Sequence, residues 1–488
     1  MTVNKLLLLG MGAIMRSFLE LLKHEHHQLL ALPAICICPE DIPDYILELK
    51  PDLQHIKAAI TESNVKQVIL PLLDANVLVI DLTVNVETID IIVLCKRAGS
   101  MYINTSLEKY NKDESSIDPE KTTLYYQDIC LRNAIQDIPT PNPTILHSMG
   151  MNPGAISSLM YQAIESYCRT YRPELLDTIN TMDDDKGINI KKQININKIA
   201  SEVVDICHIS EYDNQLIDIN FKPGWMINSW SSHGYVAEAL CTSFISSKLP
   251  IPGYVKSKFN PRMYYSPEYK SMDCTTNSIC LYPDGTPFEY IGRMITHFEV
   301  VSLSEYMSLG DYVPRLSYVY SSSPISQQCL EDIQLRKYKE PHEYYVFNQH
   351  NVINKDSFDS LGACVYFRDG RKFWCGSVLT NNQTMKLLGS STRINATQLQ
   401  VAIAILAGIE WMLENPKRGV ITAEEIPHKY ILHRCIPYWG NFFCREIINT
   451  GTGTGTGTGT STGIGTLATQ VNYNDNYTIL AELIIDKF

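Results

Sequence analysis

The sequence predicts an α/β fold with an N-terminal, doubly wound parallel sheet and a second, α+β domain. Three features of the chain lead to this prediction. Short apolar runs alternate with helical patterns through roughly the first 150 residues. A Gly-Met-Gly turn at Gly10–Gly12 follows the first of these runs. The chain has 488 residues, which is too long for a single core and enough for two or three domains.

The elements of the N-terminal sheet follow one another in a regular order. Leu6–Leu9 is a short run of the buried-strand type, and Ile14, Phe18, Leu21 and Leu22 then repeat at helical spacing. The same patterns predict further strands at 32–38, 56–60, 77–82, 101–104 and 144–147, and helices at 63–73, 87–97 and 122–134.

Beyond this domain the patterns become mixed. Asn152-Pro153-Gly154 is typical of a domain exit, and 155–395 combines strand-like and irregular stretches. An apolar helix is expected over 396–413, where Asn415-Pro416 stops it, and it can return to the first domain. We therefore expect a dinucleotide-binding domain at 1–153, a substrate and dimerisation domain at 154–395, and a C-terminal segment at 396–488.

A Thr-Gly repeat occupies 450–459 and lies within a Thr-Gly-rich tract that runs to 466. The repeat offers no apolar face, so we expect a flexible linker that carries no chemistry.

Charge and cysteine content narrow the class of protein. The net charge of −12 argues against nucleic acid as a partner and mildly favours a cationic substrate, although many cytosolic proteins are acidic. The 14 cysteines include no Cys-x-x-Cys pair, which predicts reduced thiols in a cytoplasmic protein. The apolar run after Lys5 is too short for a signal peptide, and we expect no stretch that spans a bilayer.

The segment Gly10-Met-Gly-Ala-Ile-Met15 matches a dinucleotide-binding fingerprint of the Rossmann type except at its last position. Gly10 allows the tight turn and Gly12 lets the backbone approach a pyrophosphate at the helix N-terminus, beside Ala13 and Ile14. Met15 stands where a third Gly is usual.

Carboxylates follow the second predicted strand. Glu40 or Asp41 can bind the adenosine ribose and would favour NAD over NADP, since no Arg is adjacent; a solvated turn is the alternative. Other polar residues follow later strands, and we expect them on one rim of one pocket: Thr61, Thr83, Asn85, Ser106, Glu108, His147 and Asn152.

Trp230 and two carboxylates form the second chemical feature. Trp230 lies in Asn-Ser-Trp-Ser-Ser-His-Gly, between Glu211 and Glu238. A Trp is often a core residue and a Glu a surface one, yet an indole face with carboxylates is what an organic ammonium requires. His297 and Glu299 alternate as on a strand and are expected on one face; because no third ligand is suggested nearby, we predict no metal site.

Taken together, these motifs resemble those of homospermidine synthase in the saccharopine-dehydrogenase-like group. The resemblance covers most of the chain before the Thr-Gly tract. It includes Gly10-Met-Gly, Asp81-Leu-Thr-Val, Asn104-Thr-Ser-Leu-Glu108, Gly150-Met-Asn-Pro-Gly154, His208-Ile-Ser-Glu211, Asn228-Ser-Trp-Ser, Asp359-Ser-Leu-Gly362 and Asn395-Ala-Thr-Gln-Leu-Gln-Val401.

The resemblance implies a homodimer that holds NAD tightly and converts two putrescines into homospermidine and ammonia. NAD would take a hydride from one putrescine, the second putrescine would replace ammonia at the resulting imine, and the hydride would then return.

Site residues are carried over onto matching positions. The resemblance implies that Trp230 is a cation–π residue and that the polar groups of the inner site are Glu238, Glu211, Asn152, His297 and Asp359. Glu108 would anchor an ammonium nearer the entrance, where Asn85 stands in place of an expected carboxylate. The residues assigned to the cofactor are Gly10, Gly12, Ala13, Ile14, Glu40, Thr83 and Pro153.

Two alternatives remain open from the sequence. A saccharopine or carboxynorspermidine dehydrogenase would bind an amino-acid carboxylate and should place Arg in its pocket. A polyamine-binding protein that has lost catalysis would keep the fold and bind putrescine without turnover.

Overall fold

The computed structural model describes residues 3–110, 117–139, 142–177 and 195–448. The Thr-Gly tract at 450–466 lies outside the described residues. In the N-terminal part, strands and helices alternate: β1 (Lys5–Leu9), α1 (Ala13–His24), β2 (Ala34–Cys38), α2 (Asp44–Leu49), β3 (Gln54–Lys57), α3 (Val65–Ile69), β4 (Val77–Asp81), α4 (Thr88–Ala98), β5 (Met101–Asn104), α5 (Leu124–Ile135) and β6 (Ile145–Leu146). All of these except the short helix α2 correspond to predicted elements.

These strands form a seven-stranded parallel sheet in the order β18-β6-β5-β4-β1-β2-β3, where β18 is Val420–Ile421. The chain order reverses between β1 and β4, which are direct neighbours. In doubly wound sheets, ligands bind at the carboxyl ends of the strands at this switch point. The predicted α/β class with a Rossmann-type sheet is therefore confirmed.

One predicted helix is shorter than its pattern suggests. The helix expected over 63–73 ends at Ile69 and continues only as a 3₁₀ turn over Leu70–Leu72. Pro71 lies inside this turn, has no N–H to donate and restricts the residue before it. Asn64 precedes the helix, but its side-chain oxygen accepts from the N–H of Thr61 rather than from the helix.

The remaining helices and strands build a second layer around a larger mixed sheet. Their bounds are α6 (Ile156–Tyr171), α7 (Glu174–Asp177), α8 (Ile196–Val203), β7 (Val204–Asp213), β8 (Trp225–Asn228), α9 (Ser232–Leu240), β9 (Thr242–Ser246), β10 (Val255–Lys256), β11 (Met263–Lys270), β12 (Thr275–Leu281), β13 (Pro287–Arg293), α10 (Phe298–Met307), β14 (Arg315–Ser321), α11 (Pro324–Leu335), β15 (Glu343–Val346), β16 (Phe358–Phe367), β17 (Lys372–Thr380), α12 (Asn381–Leu388), α13 (Ala396–Glu414), α14 (His428–Cys435) and β19 (Asn441–Glu446).

The second sheet has ten strands and places β7 at its centre. Its main path runs β10-β11-β9-β14-β7-β16-β17-β19, with the β12–β13 hairpin attached through β14. β7 pairs in parallel with β14 and antiparallel with β16. Side chains from these three strands therefore share one face, and that face carries Glu211.

Helix α13 is the apolar helix that the sequence predicts at 396–413, and it packs against α1. The expectation that no stretch is long and apolar enough to span a bilayer is wrong for this helix. Among the described residues, α13 passes that test by length and composition, although 83% of its window is buried inside the fold. A helix surrounded by core residues on most sides needs an apolar surface all round.

Candidate active site

A cavity that is partly open to solvent lies where the carboxyl ends of β1 and β4 face the second sheet. Segments that are distant in sequence reach it from both layers. Ten of the candidate site residues that the sequence singles out line this cavity: Ile14, Thr83, Ser106, Glu108, Asn152, Pro153, Glu211, Trp230, Glu238 and His297.

The Gly10–Gly12 turn joins β1 to α1 beside this cavity. Gly10 has φ +80°, and a Cβ there would lie 3.0 Å from the carbonyl oxygen of Leu82, so the close approach of the turn to β4 requires glycine. A Cβ on Gly12 would meet no atom within 4 Å, and Gly12 caps α1 without a side chain. The first helical N–H groups therefore face an open space that suits a pyrophosphate.

Met15, which replaces the usual third glycine, is fully buried in the core of the first layer. It does not enter the turn. The adenosine end of a dinucleotide would extend toward the end of β2, where Glu40 is exposed and Asp41 forms an ion pair with Lys57 at 2.6 Å. Glu40 does not line the cavity.

Glu211 projects from β7 and is almost fully buried. The Tyr318 hydroxyl donates to its Oε2 at 2.7 Å, and the Asn152 amide donates to the same oxygen at 3.3 Å. Burial nevertheless raises the pKa of Glu211 above its usual range, because the charged form loses more by desolvation than these two donors return. A raised pKa makes this carboxyl a stronger proton acceptor than an exposed one.

His297 and Glu299 come together, but not on a strand. β13 ends at Arg293, and His297 caps α10, whose first turn carries Glu299. Glu299 accepts from the Nδ1 of His297 at 2.7 Å and from the backbone N–H of Gly154 at 2.6 Å. The expected strand is wrong because a His-Phe-Glu pattern equally fits a helix start.

The pairing with Glu299 fixes how His297 can act. With Nδ1 donating to a carboxylate, Nε2 becomes the nitrogen that can accept a proton, and it lies 3.7 Å from Glu238 Oε1. Burial opposes a charge on His297, yet Glu299, Glu238 and Glu211 outweigh burial and raise its pKa. His297 is therefore oriented as a base toward the cavity.

Glu238, on α9, is a second carboxyl that faces this cavity and has a strongly raised pKa. Burial raises its pKa to about 8, helped by the nearby Glu108 and Glu211 and opposed by His297. Its Oε2 is buried and has no hydrogen-bond partner among the residues that the structure describes, and the same is true of Asn152 Oδ1. Buried acceptors without donors are costly, so both oxygens are ready for donors from a ligand.

Trp230 follows β8 and is half-buried at the cavity wall. Its indole lies against the first turn of α9, where a Cβ on Gly234 would come within 3.2 Å of the ring. Ser231 caps that helix by accepting from the Gly234 N–H at 3.0 Å. One face of the indole thus packs on protein, and the ring contributes to the cavity lining.

Asp359 lies behind the cavity and does not line it. It pairs with Asp213 across β16 and β7, and Thr397, which does line the cavity, donates to its Oδ2 at 2.6 Å. Its Oδ1 is buried with no partner among the described residues. Burial, reinforced by Glu211 and Asp213, raises the pKa of Asp359 well above its usual range.

An outer cleft adjoins the cavity and shares Glu108, Glu238 and His297 with it. Asn85, with φ +61°, lines this cleft, and its backbone N–H donates to Glu108 Oε2 at 3.4 Å. Burial raises the pKa of Glu108, while the Ser106 hydroxyl, 2.8 Å away, stabilises its charged form. The cleft also contains Lys109 and Lys270, whereas no Lys or Arg lines the inner cavity within the described ranges.

Sequence reasoning missed several residues of the site. Tyr318 on β14 and Asp213 on β7 hold or face the predicted carboxylates, but only strand pairing brings β14 and β16 beside β7. Gln400, on α13, also lines the cavity. No local motif marks Tyr318 or Asp213, whereas Gln400 lies in the Asn395–Val401 motif but was not singled out. Among the residues that the structure describes, no group of three or more His, Cys, Asp or Glu is arranged to hold a metal ion.

Comparison with known proteins agrees with this geometry. Residues 6–137 match the family described as the saccharopine dehydrogenase NADP binding domain. The homospermidine synthase of Mesorhizobium japonicum is 25% identical over 451 residues, which cover 89% of this chain and 88% of that protein. The homospermidine synthase of Blastochloris viridis is 24% identical over 462 residues, which cover 89% of each chain.

A solved structure has the same fold. The crystal structure of the homospermidine synthase from Legionella pneumophila in complex with NAD superimposes with a TM-score of 0.75, at 22% identity and with 91% of each chain covered. The resemblance to homospermidine synthases that the sequence motifs indicate is confirmed along nearly the whole chain.

Proposed function

We propose that this protein is an NAD-dependent homospermidine synthase, which converts two putrescines into homospermidine and ammonia. The observation that carries the proposal is a cavity beside a dinucleotide turn that combines an indole, buried carboxyls with raised pKa values and no lining Lys or Arg within the described ranges. Such a cavity suits a diamine, whose two ends must differ in charge during the reaction.

Hydride can leave only from the carbon of a neutral amine, so the protein must first take a proton from one ammonium. NAD, when bound, supplies the hydride acceptor and later the donor. His297 Nε2 and Glu211 are the proposed proton acceptors. Glu211 suits this role because burial raises its pKa above the usual carboxyl range. Glu299 keeps the His297 tautomer that leaves Nε2 free to accept.

The other end of the diamine must stay charged to be recognised. We assign it to the unpartnered oxygens of Asn152 and Glu238, which both belong to residues that line the cavity. The second putrescine attacks the imine carbon through a neutral amine and forms a geminal diamine, and we assign its far ammonium to Glu108 in the outer cleft. The first nitrogen then leaves as ammonia after a proton is returned to it by the groups that took it, and the new imine that joins the two chains receives the hydride.

Trp230 is proposed to stabilise the cationic imine through its π face. A desolvated cation on an indole is stabilised by ~2 kcal/mol or more. Because the iminium charge develops beside the ring, this attraction is stronger in the transition state than in the bound diamine, as catalysis requires.

The same observation disfavours an amino-acid dehydrogenase. A substrate carboxylate would need a cation in the inner cavity. Among the described residues, no Lys or Arg lines that cavity, and Lys109 and Lys270 line the outer cleft instead. The buried carboxyls that line the inner cavity would repel it.

The test is to incubate the purified protein with putrescine and NAD and to separate the products by chromatography. We expect homospermidine and ammonia in equal amounts without accumulating NADH. NADH formed stoichiometrically with product would instead identify a dehydrogenase. A rise in melting temperature on putrescine without any triamine would identify a polyamine-binding protein.

A labelled substrate sharpens the same experiment. With putrescine deuterated on its amine-bearing carbons and unlabelled NADH in the medium, the triamine should keep all of its deuterium if the hydride returns without leaving the site. We further propose a cytoplasmic homodimer, for which the resemblance is the support; size-exclusion chromatography with light scattering tests the dimer.

A further inference from the structure

Two buried amide side chains donate hydrogen bonds to the backbone immediately before Trp230. β8 and β15 run parallel, and the first residue after each strand is Ser229 and Phe347 respectively. The amide of Asn395 donates to the carbonyl oxygens of Ser229 and Phe347 at 2.9 and 3.1 Å. The amide of Gln398 donates to the same two oxygens at 2.8 and 3.0 Å.

These two residues, which we call the clamp, also begin helix α13. Asn395 is the N-cap and accepts from the Gln398 N–H at 2.9 Å, while Gln398 accepts from the Asn395 N–H at 3.3 Å. Both side chains are almost fully buried. The reciprocal capping fixes their rotamers, so the donors that reach the two carbonyls are held rigidly.

Hydrogen bonds connect the clamp and Ser229 to both the first and the second layer of the fold. The Ser17 hydroxyl, on the dinucleotide helix α1, donates to Gln398 Oε1 at 3.3 Å. On the other side, the Ser229 hydroxyl donates to Asp213 Oδ2 at 2.8 Å. Ser229 is thus held through both its carbonyl and its hydroxyl, and the next residue in the chain is Trp230.

We propose that Asn395 and Gln398 are positioning residues that set the Trp230 indole relative to the dinucleotide helix. This inference rests on the proposed function, since it assigns the clamp's effect to the indole that faces the substrate. A purely structural clamp would only cap α13 and join the two layers, and its loss would then lower stability without moving the indole.

A double-mutant cycle separates these possibilities. Gln398→Met removes the amide donors and nearly preserves volume. Gln383→Met is a matched control, because Gln383 completes the capping box of α12 with Thr380. We expect Gln398→Met to lower kcat/KM for putrescine about tenfold. The loss should be less than ~3-fold when Trp230 is already Leu, since residues that act through a shared backbone segment couple. Gln383→Met should affect both backgrounds equally. Equal losses from Gln398→Met in both backgrounds would overturn the proposal.

A second readout does not depend on turnover. The emission of Trp230 alone is obtained by subtracting the spectrum of the Trp230→Leu protein from that of its parent. We expect Gln398→Met to change the wavelength or acrylamide quenching of this difference spectrum, and Gln383→Met to leave it unchanged. An unaltered Trp230 emission would refute the clamp. A wild-type protein that makes no homospermidine would refute the proposed function instead, and the emission measurement would still decide the role of the clamp.

Discussion

Replacing Glu238 by Gln should make the ligand-free protein more stable at pH 8 while removing most of its activity. The ordinary pKa of this carboxyl is 4.5, and the folded protein raises it to about 8, mainly by burial. As pH rises from about 4.5 to 8, the unfolded chain ionises while the folded one keeps the proton. Stability is therefore lost as pH rises through this window, and a side chain that cannot ionise avoids the loss.

The size of the effect follows from the two pKa values. Their difference corresponds to ~5 kcal/mol at ~1.4 kcal/mol for each pH unit. We expect about 2–3 kcal/mol, because 18% of the Glu238 side chain is exposed and because Glu238→Gln also removes the attraction to His297. The other titratable groups that act on Glu238 are Glu108, Glu211 and Glu299, which all disfavour its charge and leave the sign unchanged.

Thermal denaturation at pH 5 and pH 8, with and without putrescine, is the assay. Glu238→Gln should raise the melting temperature by a few degrees at pH 8 and by much less at pH 5. Putrescine should stabilise the wild type most at pH 8, where the diamine can replace the proton, and should stabilise the variant little. Glu331→Gln, an exposed position on α11, is the control and should change nothing. A variant less stable than wild type at pH 8 would refute the reasoning.

Three further predictions concern the indole, the cofactor and the Thr-Gly tract. Trp230→Leu should lower the rate about thirtyfold, the equivalent of ~2 kcal/mol, and Trp230→Phe less, while both proteins stay folded; unchanged putrescine kinetics would make Trp230 a core residue. NAD should bind more tightly than NADP, and Asp41→Asn should reduce this difference in affinity because it releases Lys57 to bind a 2′-phosphate. A fluorescence titration with both nucleotides measures the two affinities, and an unchanged affinity ratio would place the ribose elsewhere. Deleting 450–459 should leave melting temperature and activity nearly intact, because the repeat has no side chain able to pack or react, and loss of either would contradict this.

Local pattern predicted the first layer well because most of its strands are buried on both faces; the exposed β3 is the strand whose predicted bounds deviate most. Met101–Asn104 is a strand with the expected bounds, and the bounds of the other predicted strands differ by at most three residues at either end. Parallel strands of this type are short and uniformly apolar, which makes them visible in sequence. The local pattern also predicted a residue that needs a special backbone conformation. Gly10 requires its positive φ, and the Gly-Met-Gly turn indicates this requirement.

Local sequence patterns did not predict the structure where one short motif fits two kinds of element, or where the contacting residues are far apart in the chain. His297 and Glu299 are two residues apart in either a strand or a helix start, and only the fold distinguishes them. Tyr318 reaches Glu211 across more than a hundred residues. Asn395 and Gln398 carry a visible capping box, but nothing local indicates that their amides hold another segment. Long-range polar contacts of this kind depend on topology, which periodicity does not encode.

The buried carboxyls that give the site its chemistry also lower the stability of the ligand-free protein. Glu238 and Asp359 keep buried oxygens without donors among the described residues, and the pKa values of both carboxyls are raised. A fold selected for stability alone would pair such groups or replace them with apolar ones. A diamine in the cavity supplies a donor and a positive charge to Glu238, so its binding should stabilise the folded protein. Ligand-induced stabilisation should therefore grow with pH over the range in which Glu238 ionises, up to the point where the amines themselves lose their charge.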